Sequence, residues 1–173
     1  RYNRGEMTSA DSIHFPDSLR TYTMHLKRPV YGGGGIMPDY FVPVDTMKYT
    51  KYHRSLAANG SIIQASLRYL DENRERLTAD YPTIEEFETN FEVDEAFIEM
   101  LKQQGIKDNV KLEGGDEEFE RSLPELKIQL KQLIARDLCD MSRFMKLYNK
   151  SNDSLKKAYE LIQDKKFNKL MIK

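Results

Sequence analysis

The sequence predicts a mainly α protein, a C-terminal helical bundle preceded by a short β-hairpin and strand segment, and two observations carry that prediction. Gly and Pro punctuate regular structure, and both crowd toward the start of the chain. Four of the nine Gly form one run, Gly32 to Gly35, and four of the six Pro (Pro16, Pro29, Pro38 and Pro43) precede Asp45. Beyond Asp45, apolar residues recur at helical spacing behind capping residues. The chain therefore divides into a loop-and-strand segment over 1–44 and a helical domain over 45–173.

In the first segment, residues 1–20 carry no period and read as irregular loop. Thr21-Tyr-Thr-Met-His-Leu26 and Val30-Tyr31 are rich in β-branched and aromatic residues, so they predict a hairpin turning at Lys27-Arg28-Pro29, with Tyr40-Phe-Val42 as a further strand. A lone hairpin is marginal in water, which makes this segment an expected addition to a sheet supplied from elsewhere.

In the second, Thr50 caps a helix that ends near Gly60, with Tyr52 and Leu56 on one face. Ser61 opens a longer helix carrying Ile63, Leu67, Leu70 and Leu77, stopped by Tyr81-Pro82. Thr83-Ile-Glu-Glu86 is a capping box, in which hydroxyl and carboxylate satisfy first-turn amides reciprocally, and Phe87 and Phe91 follow on one side. Asp94 caps the next helix, where Phe97 and Leu101 share a face and Gly105 is the expected stop. Residues 106–115 read as loop. Ser122-Leu-Pro-Glu125 is a second capping box, with Pro124 in the first turn where its missing amide costs nothing. It introduces the longest stripe in the chain: Leu126, Leu130, Ile134, Leu138, Met141, Met145 and Tyr148. Ser151-Asn152 then caps a last helix with Leu155, Ala158, Tyr159 and Ile162. Six such helices bury their stripes against one another as a bundle.

Composition removes several function classes. Leu, Ile, Val and Phe make up 41 of 173 residues, enough for a modest core. With 27 basic and 28 acidic residues the net charge is -1, which argues against nucleic acid as a partner. No apolar run approaches the roughly 18 residues of a membrane span. The single Cys139 excludes an internal disulfide and a Cys-based metal cluster. The chain begins at Arg1 with no charged-then-apolar signal segment, so it is expected to be a piece of a longer protein.

Candidate chemistries fail one by one. The glycine run invites a phosphate-loop reading, but that motif ends in Gly-Lys-Ser/Thr and opens a helix, whereas Ile36-Met37-Pro38-Asp39 follows here. A backbone that turns sharply or passes close to another strand is the better local reading. His14, His25 and His53 fall in a loop, a strand and a helix without the i, i+4 spacing of paired ligands, so a metal site is not expected and solvent-facing rings are. No Ser sits in a Gly-x-Ser-x-Gly elbow, and Ser61, Ser122 and Ser151 are accounted for by capping. The acidic patch Glu113, Asp116, Glu117, Glu118 and Glu120 lacks calcium-loop spacing and reads as a solvated helix start. Lys165, Lys166 and Lys169 with Leu170, Met171 and Ile172 are too few for firm attachment to an anionic membrane.

The stretch Arg28-Pro-Val-Tyr-Gly-Gly-Gly-Gly-Ile-Met-Pro-Asp39, followed by Tyr40-Phe-Val42, resembles a signature of the carboxyl-terminal processing serine peptidases, or tail-specific proteases. In that family such a segment closes the protease core. Arg1-Tyr-Asn-Arg-Gly-Glu6 through Asp11-Ser-Ile-His-Phe-Pro-Asp17 is similar to an insertion in the Bacteroides-type branch. Tyr52-His53, Asp71-Glu-Asn73-Arg74 and the run from Gln129 to Leu138 resemble that branch's C-terminal extension.

The resemblance implies a parent enzyme that cleaves proteins near their C-termini. It would use a Ser nucleophile and a Lys base of lowered pKa, often with a PDZ domain selecting substrates. Both dyad and PDZ domain lie ahead of the glycine motif in the family, hence before Arg1, so no catalytic residue and no cofactor is expected in this chain. What carries over is the motif itself, as structure: Val30, Tyr31 and Ile36 as motif residues, Gly32, Gly33, Gly34 and Gly35 as the close-packed turn, and Pro38 and Asp39 as the entry to the last core strand. The resemblance further implies a periplasmic or cell-envelope location, protein or peptide substrates through the parent, and a scaffolding or homodimerising role for 45–173. The alternative is a stand-alone helical protein-interaction module with no enzymatic role.

Overall fold

The computed structural model describes residues 6–33, 38, 40–45 and 47–164. Among them are seven α-helices and one two-stranded antiparallel sheet, so the chain is mainly α. The chain forms two compact units. Met47–Asn152 contains six of the helices, and the other unit combines the described residues of 1–46 with those from Asp153 onward.

In the latter unit, β1 (Arg20–Tyr22) pairs with β2 (Pro29–Tyr31), Thr21 opposite Val30. The hairpin is as expected, but its first strand stops at Tyr22 instead of reaching Leu26. Thr23 closes the turn early: its N–H donates to the Arg28 carbonyl and its hydroxyl oxygen accepts from the Arg28 N–H, both at 3.0 Å. Lys27 takes the left-handed conformation (φ 50°) that lets the chain reverse there. Just past β2, the Gly32 N–H donates to the Leu19 carbonyl at 2.8 Å, and a Cβ on Gly33 would lie 3.3 Å from Leu19 Cδ1. Tyr40-Phe-Val42, expected as a strand, is irregular; the neighbouring Val44 N–H donates to the Met7 carbonyl instead. The unit also contains α7 (Asp153–Gln163), where Leu155, Tyr159 and Ile162 remain exposed.

The Met47–Asn152 unit opens with α1 (Lys51–Ala58), capped by Thr50, whose hydroxyl oxygen accepts from the His53 N–H. Next come α2 (Ser61–Asp80) and α3 (Ile84–Asn90), the latter entered through the Thr83/Glu86 capping box as its sequence predicts. Then α4 (Glu95–Lys107) is capped by Asp94. The last two are α5 (Gly115–Leu138) and α6 (Met141–Ser151). Helix α2 packs against α4 and α5, α1 against α2 and α5, and α6 against α5. Leu56, Leu70, Leu77, Phe87, Phe97, Leu101, Leu126, Leu130 and Ile134 are fully buried in one contiguous core.

Four local expectations change. The buried face of α2 is Ile62, Ala65, Ser66, Tyr69, Leu70 and Leu77, while Ile63 and Leu67 are exposed. Small residues let neighbouring helices approach: Ser66 donates to the Ile62 carbonyl, and Ser61 donates to Asp108 Oδ2 at 2.7 Å. Gly105 does not stop α4, which runs on to Lys107. A Cβ on Gly105 would come within 2.8 Å of Leu56 Cδ2, and Leu56 is fully buried, so glycine permits a close approach between α4 and α1. Helix α5 starts at Gly115, not Ser122, and has Asp116, Glu117 and Glu118 in its first turn, where carboxylates favour the positive helix end. Finally, the long stripe breaks at Cys139-Asp140, because Asp140 caps a new helix by accepting from the Arg143 N–H at 3.0 Å.

Candidate functional site

A cavity of about 320 Å³ opens between α1, α5 and α6, all within the Met47–Asn152 unit. Its apolar wall comes from Ala57 on α1, Ile128 and Leu133 on α5, Phe144 and Tyr148 on α6, and Tyr49 just ahead of α1. Helical spacing makes this wall: 128 and 129 sit one turn from 132 and 133, and Phe144 and Tyr148 are i, i+4 partners whose rings stack at 5.9 Å. The polar groups are His53, Arg54, Glu125, Gln129, Gln132 and Ser151.

His53 is the most buried of these, with 3 % of its surface exposed. Its ring sits edge-on to Tyr49 (centroids 4.8 Å), and its Nε2 lies 2.8 Å from Gln129 Oε1. A carboxamide oxygen only accepts, so Nε2 carries the proton and Nδ1 is a bare acceptor. Nδ1 is buried with no hydrogen-bond partner among the described residues. Burial pulls the His53 pKa below the usual histidine range, against the raising effects of the Gln129 bond and the Glu125 charge; Arg54 adds to the lowering. The imidazole is therefore neutral at pH 7.

That lowered pKa carries a pH dependence with a definite sign. The unfolded chain binds its histidine proton near pH 6.5, the folded chain only at lower pH, so folding stability is full above about pH 6.5 and declines as pH falls through the interval between the two values. Urea unfolding midpoints of wild type and His53→Gln, compared at pH 7.5 and pH 5.5, should show the wild type losing more stability on acidification. Parallel losses in both proteins would contradict it.

Around this histidine the helix ends interlock. Thr50 Oγ1 lies 2.5 Å from Ser122 Oγ, and Ser122 also reaches the Glu118 carbonyl at 2.7 Å. Glu118 accepts from the backbone N–H groups of Tyr52 and Gly114, each at 2.9 Å, bonds that hold its carboxyl below the usual glutamate range. Gln132, 8 % exposed, donates through Nε2 to Ser151 Oγ at 3.1 Å and so ties α5 to the end of α6.

The residues singled out from sequence distribute unevenly. His14 and His25 are exposed as expected, but His53 is a core residue. Ser122 caps no helix: it bonds within α5 and to Thr50. Ser61 lies in the first turn of α2 behind Gly60, and Ser151 is the last residue of α6. Of the acidic patch, Asp116, Glu117 and Glu120 are exposed on α5, Glu113 pairs with Lys51, and Glu118 makes the backbone bonds just described. No cluster of three or more His, Cys, Asp or Glu suited to a metal occurs among the described residues, and none of their helices is long and apolar enough to cross a membrane. Within the glycine motif, Val30 and Tyr31 belong to β2 and Gly32 and Gly33 follow it, while Gly34, Gly35, Ile36 and Asp39 lie outside the described residues. The cavity itself escaped the sequence reading; its one advance sign is the pair Gln129 and Gln132 amid the apolar stripe of α5.

Comparison with known proteins returns one family. No curated protein and no solved structure matches the chain. Residues 52–140 match the model of a family described as a family of unknown function (DUF8443). The matched span runs from the first turn of α1 to the cap of α6 and includes most of the cavity's polar groups. It covers just over half of the 173 residues, and the chain therefore belongs to DUF8443.

Proposed function

We propose that the chain is the C-terminal part of a carboxyl-terminal processing serine peptidase, in which 45–173 is a non-catalytic scaffold or dimerisation region. The observation that carries this reading is the glycine motif, Arg28 to Val42. Its Val-Tyr-Gly-Gly-Gly-Gly-Ile-x-Pro-Asp run is dense and begins within β2, a three-residue strand of the sheet that has two strands among the described residues. Such a sheet is marginal alone and suits addition to a larger one. The parent would reside in the periplasm or cell envelope and act on protein substrates through a Ser/Lys pair encoded ahead of Arg1. The alternative, a stand-alone helical interaction module, draws on the exposed Leu155, Tyr159 and Ile162 of α7, a face suited to a partner surface.

Two measurements test the reading together. The sequence encoded upstream of Arg1 should contain a serine peptidase core with Ser and Lys, and the parent protein should be labelled by a fluorophosphonate probe. The isolated 173-residue chain should be neither labelled nor able to cleave an unstructured peptide. Labelling of the isolated chain, or an upstream sequence without the dyad, overturns it.

A further inference from the structure

The two carboxamides of α5 in the cavity are each half used. Gln129 spends its Oε1 on His53, which leaves its NH₂ group, and Gln132 spends its Nε2 on Ser151, which leaves its carbonyl oxygen. Neither remaining half has a hydrogen-bond partner among the described residues. Both side chains line the cavity, and Gln132 is 8 % exposed. At i and i+3 they are neighbours on one helical face, so a donor and an acceptor stand side by side. Neither group is among the buried atoms left without a partner; both residues line the open cavity, so a ligand seated there can complete their bonds. Beside them, Tyr49, Phe144 and Tyr148 offer ring surface.

An extended peptide residue presents the complement. Its own N–H and C=O point to the same side of the chain, as in the paired bonds of an antiparallel ladder. We propose that this cavity is a peptide-binding site: it holds an aromatic side chain of an extended segment, Gln129 donates to that residue's C=O, and Gln132 accepts from its N–H. The volume of about 320 Å³ is at the lower end for ligand pockets and suits one large side chain with its peptide group. The inference stands on the cavity alone and does not depend on the peptidase reading, since its readout is binding and not cleavage.

The experiment titrates the ¹⁵N-labelled full chain with acetyl-Ala-Ala-Phe-Ala-Ala-amide and follows the side-chain amide resonances of Gln129 and Gln132. Saturable shifts of both are expected. The same peptide methylated on the Phe nitrogen should bind about tenfold more weakly, as should the peptide with Ala in place of Phe. In Gln132→Met, which keeps the volume but removes the acceptor, the methylated and unmethylated peptides should bind alike. Should that variant fail to fold, the peptide comparison on the wild-type chain decides. Unmoved glutamine resonances at millimolar peptide, equal affinity for the methylated peptide on the wild type, or saturable shifts with uridine in place of the peptide would each overturn the proposal.

Discussion

Replacing Phe97 with Ala is expected to lower the unfolding free energy by about 3–5 kcal/mol, the range for deleting a large aromatic side chain from a packed core. Phe97 is fully buried on α4, and its ring stacks on Tyr69 of α2 with centroids 3.9 Å apart. The loss therefore combines the transfer of the ring, the cavity left between α2 and α4, and the aromatic pair itself. Tyr69 is constrained by its own bonds: its hydroxyl donates to Asp94 Oδ2 and accepts from Arg76, so its ring is held back from filling the gap. Urea unfolding followed by circular dichroism measures the effect; a cost under about 1 kcal/mol would mean that the helices collapse onto the vacancy.

Lys131→Met should cost about 2–3 kcal/mol, even though methionine keeps most of the apolar stem. The ammonium of Lys131 on α5 donates to the carbonyls of Glu88 and Phe91, each at 2.7 Å, and lies 5.9 Å from the Phe87 ring centroid. Those carbonyls are at the C-terminal end of α3, where no further helical N–H is available, and charge-assisted bonds are worth about 1.5–3 kcal/mol each before any relaxation to water. Helix α3 has only seven residues and cannot persist without such support. Hydrogen exchange should therefore show the largest increase in the α3 amides. An increase spread evenly over the unit would argue against a local anchoring role.

The difference between what was legible in the sequence and what was not is local against non-local bonding. Thr50, Thr83 and Asp94 start helices as their sequence predicts, because each cap is completed by a backbone N–H three residues away. Ser122 has the same local option, but its hydroxyl bonds the Glu118 carbonyl four residues back and meets Thr50 from 72 residues away, and α5 begins eight residues earlier than a cap at Ser122 would start it. Pro124 then sits in the helix interior, an arrangement that propensity disfavours; the burial of Phe119, Ser122, Leu126 and Leu130 on either side of it holds the helix continuous through that point. The α2 face departs from its apolar pattern for a related reason: Ser61, Ala65 and Ser66 count little as apolar residues but are buried where helices touch. The cavity is not legible in the sequence because its lining comes from three helices and the residue ahead of the first, separated by up to about a hundred positions.

The capping of α1 also sets an order of events during folding. This helix has eight residues, too few to persist alone. Its Tyr52 N–H is satisfied by Glu118, 66 residues along the chain, and its Thr50 cap is seated against Ser122. Closing a loop of that length costs about 4 kcal/mol in chain entropy before the contact returns anything. The first helix in the sequence is thus expected to form late, because its cap and its first-turn amide are completed only when the start of α5 is in place.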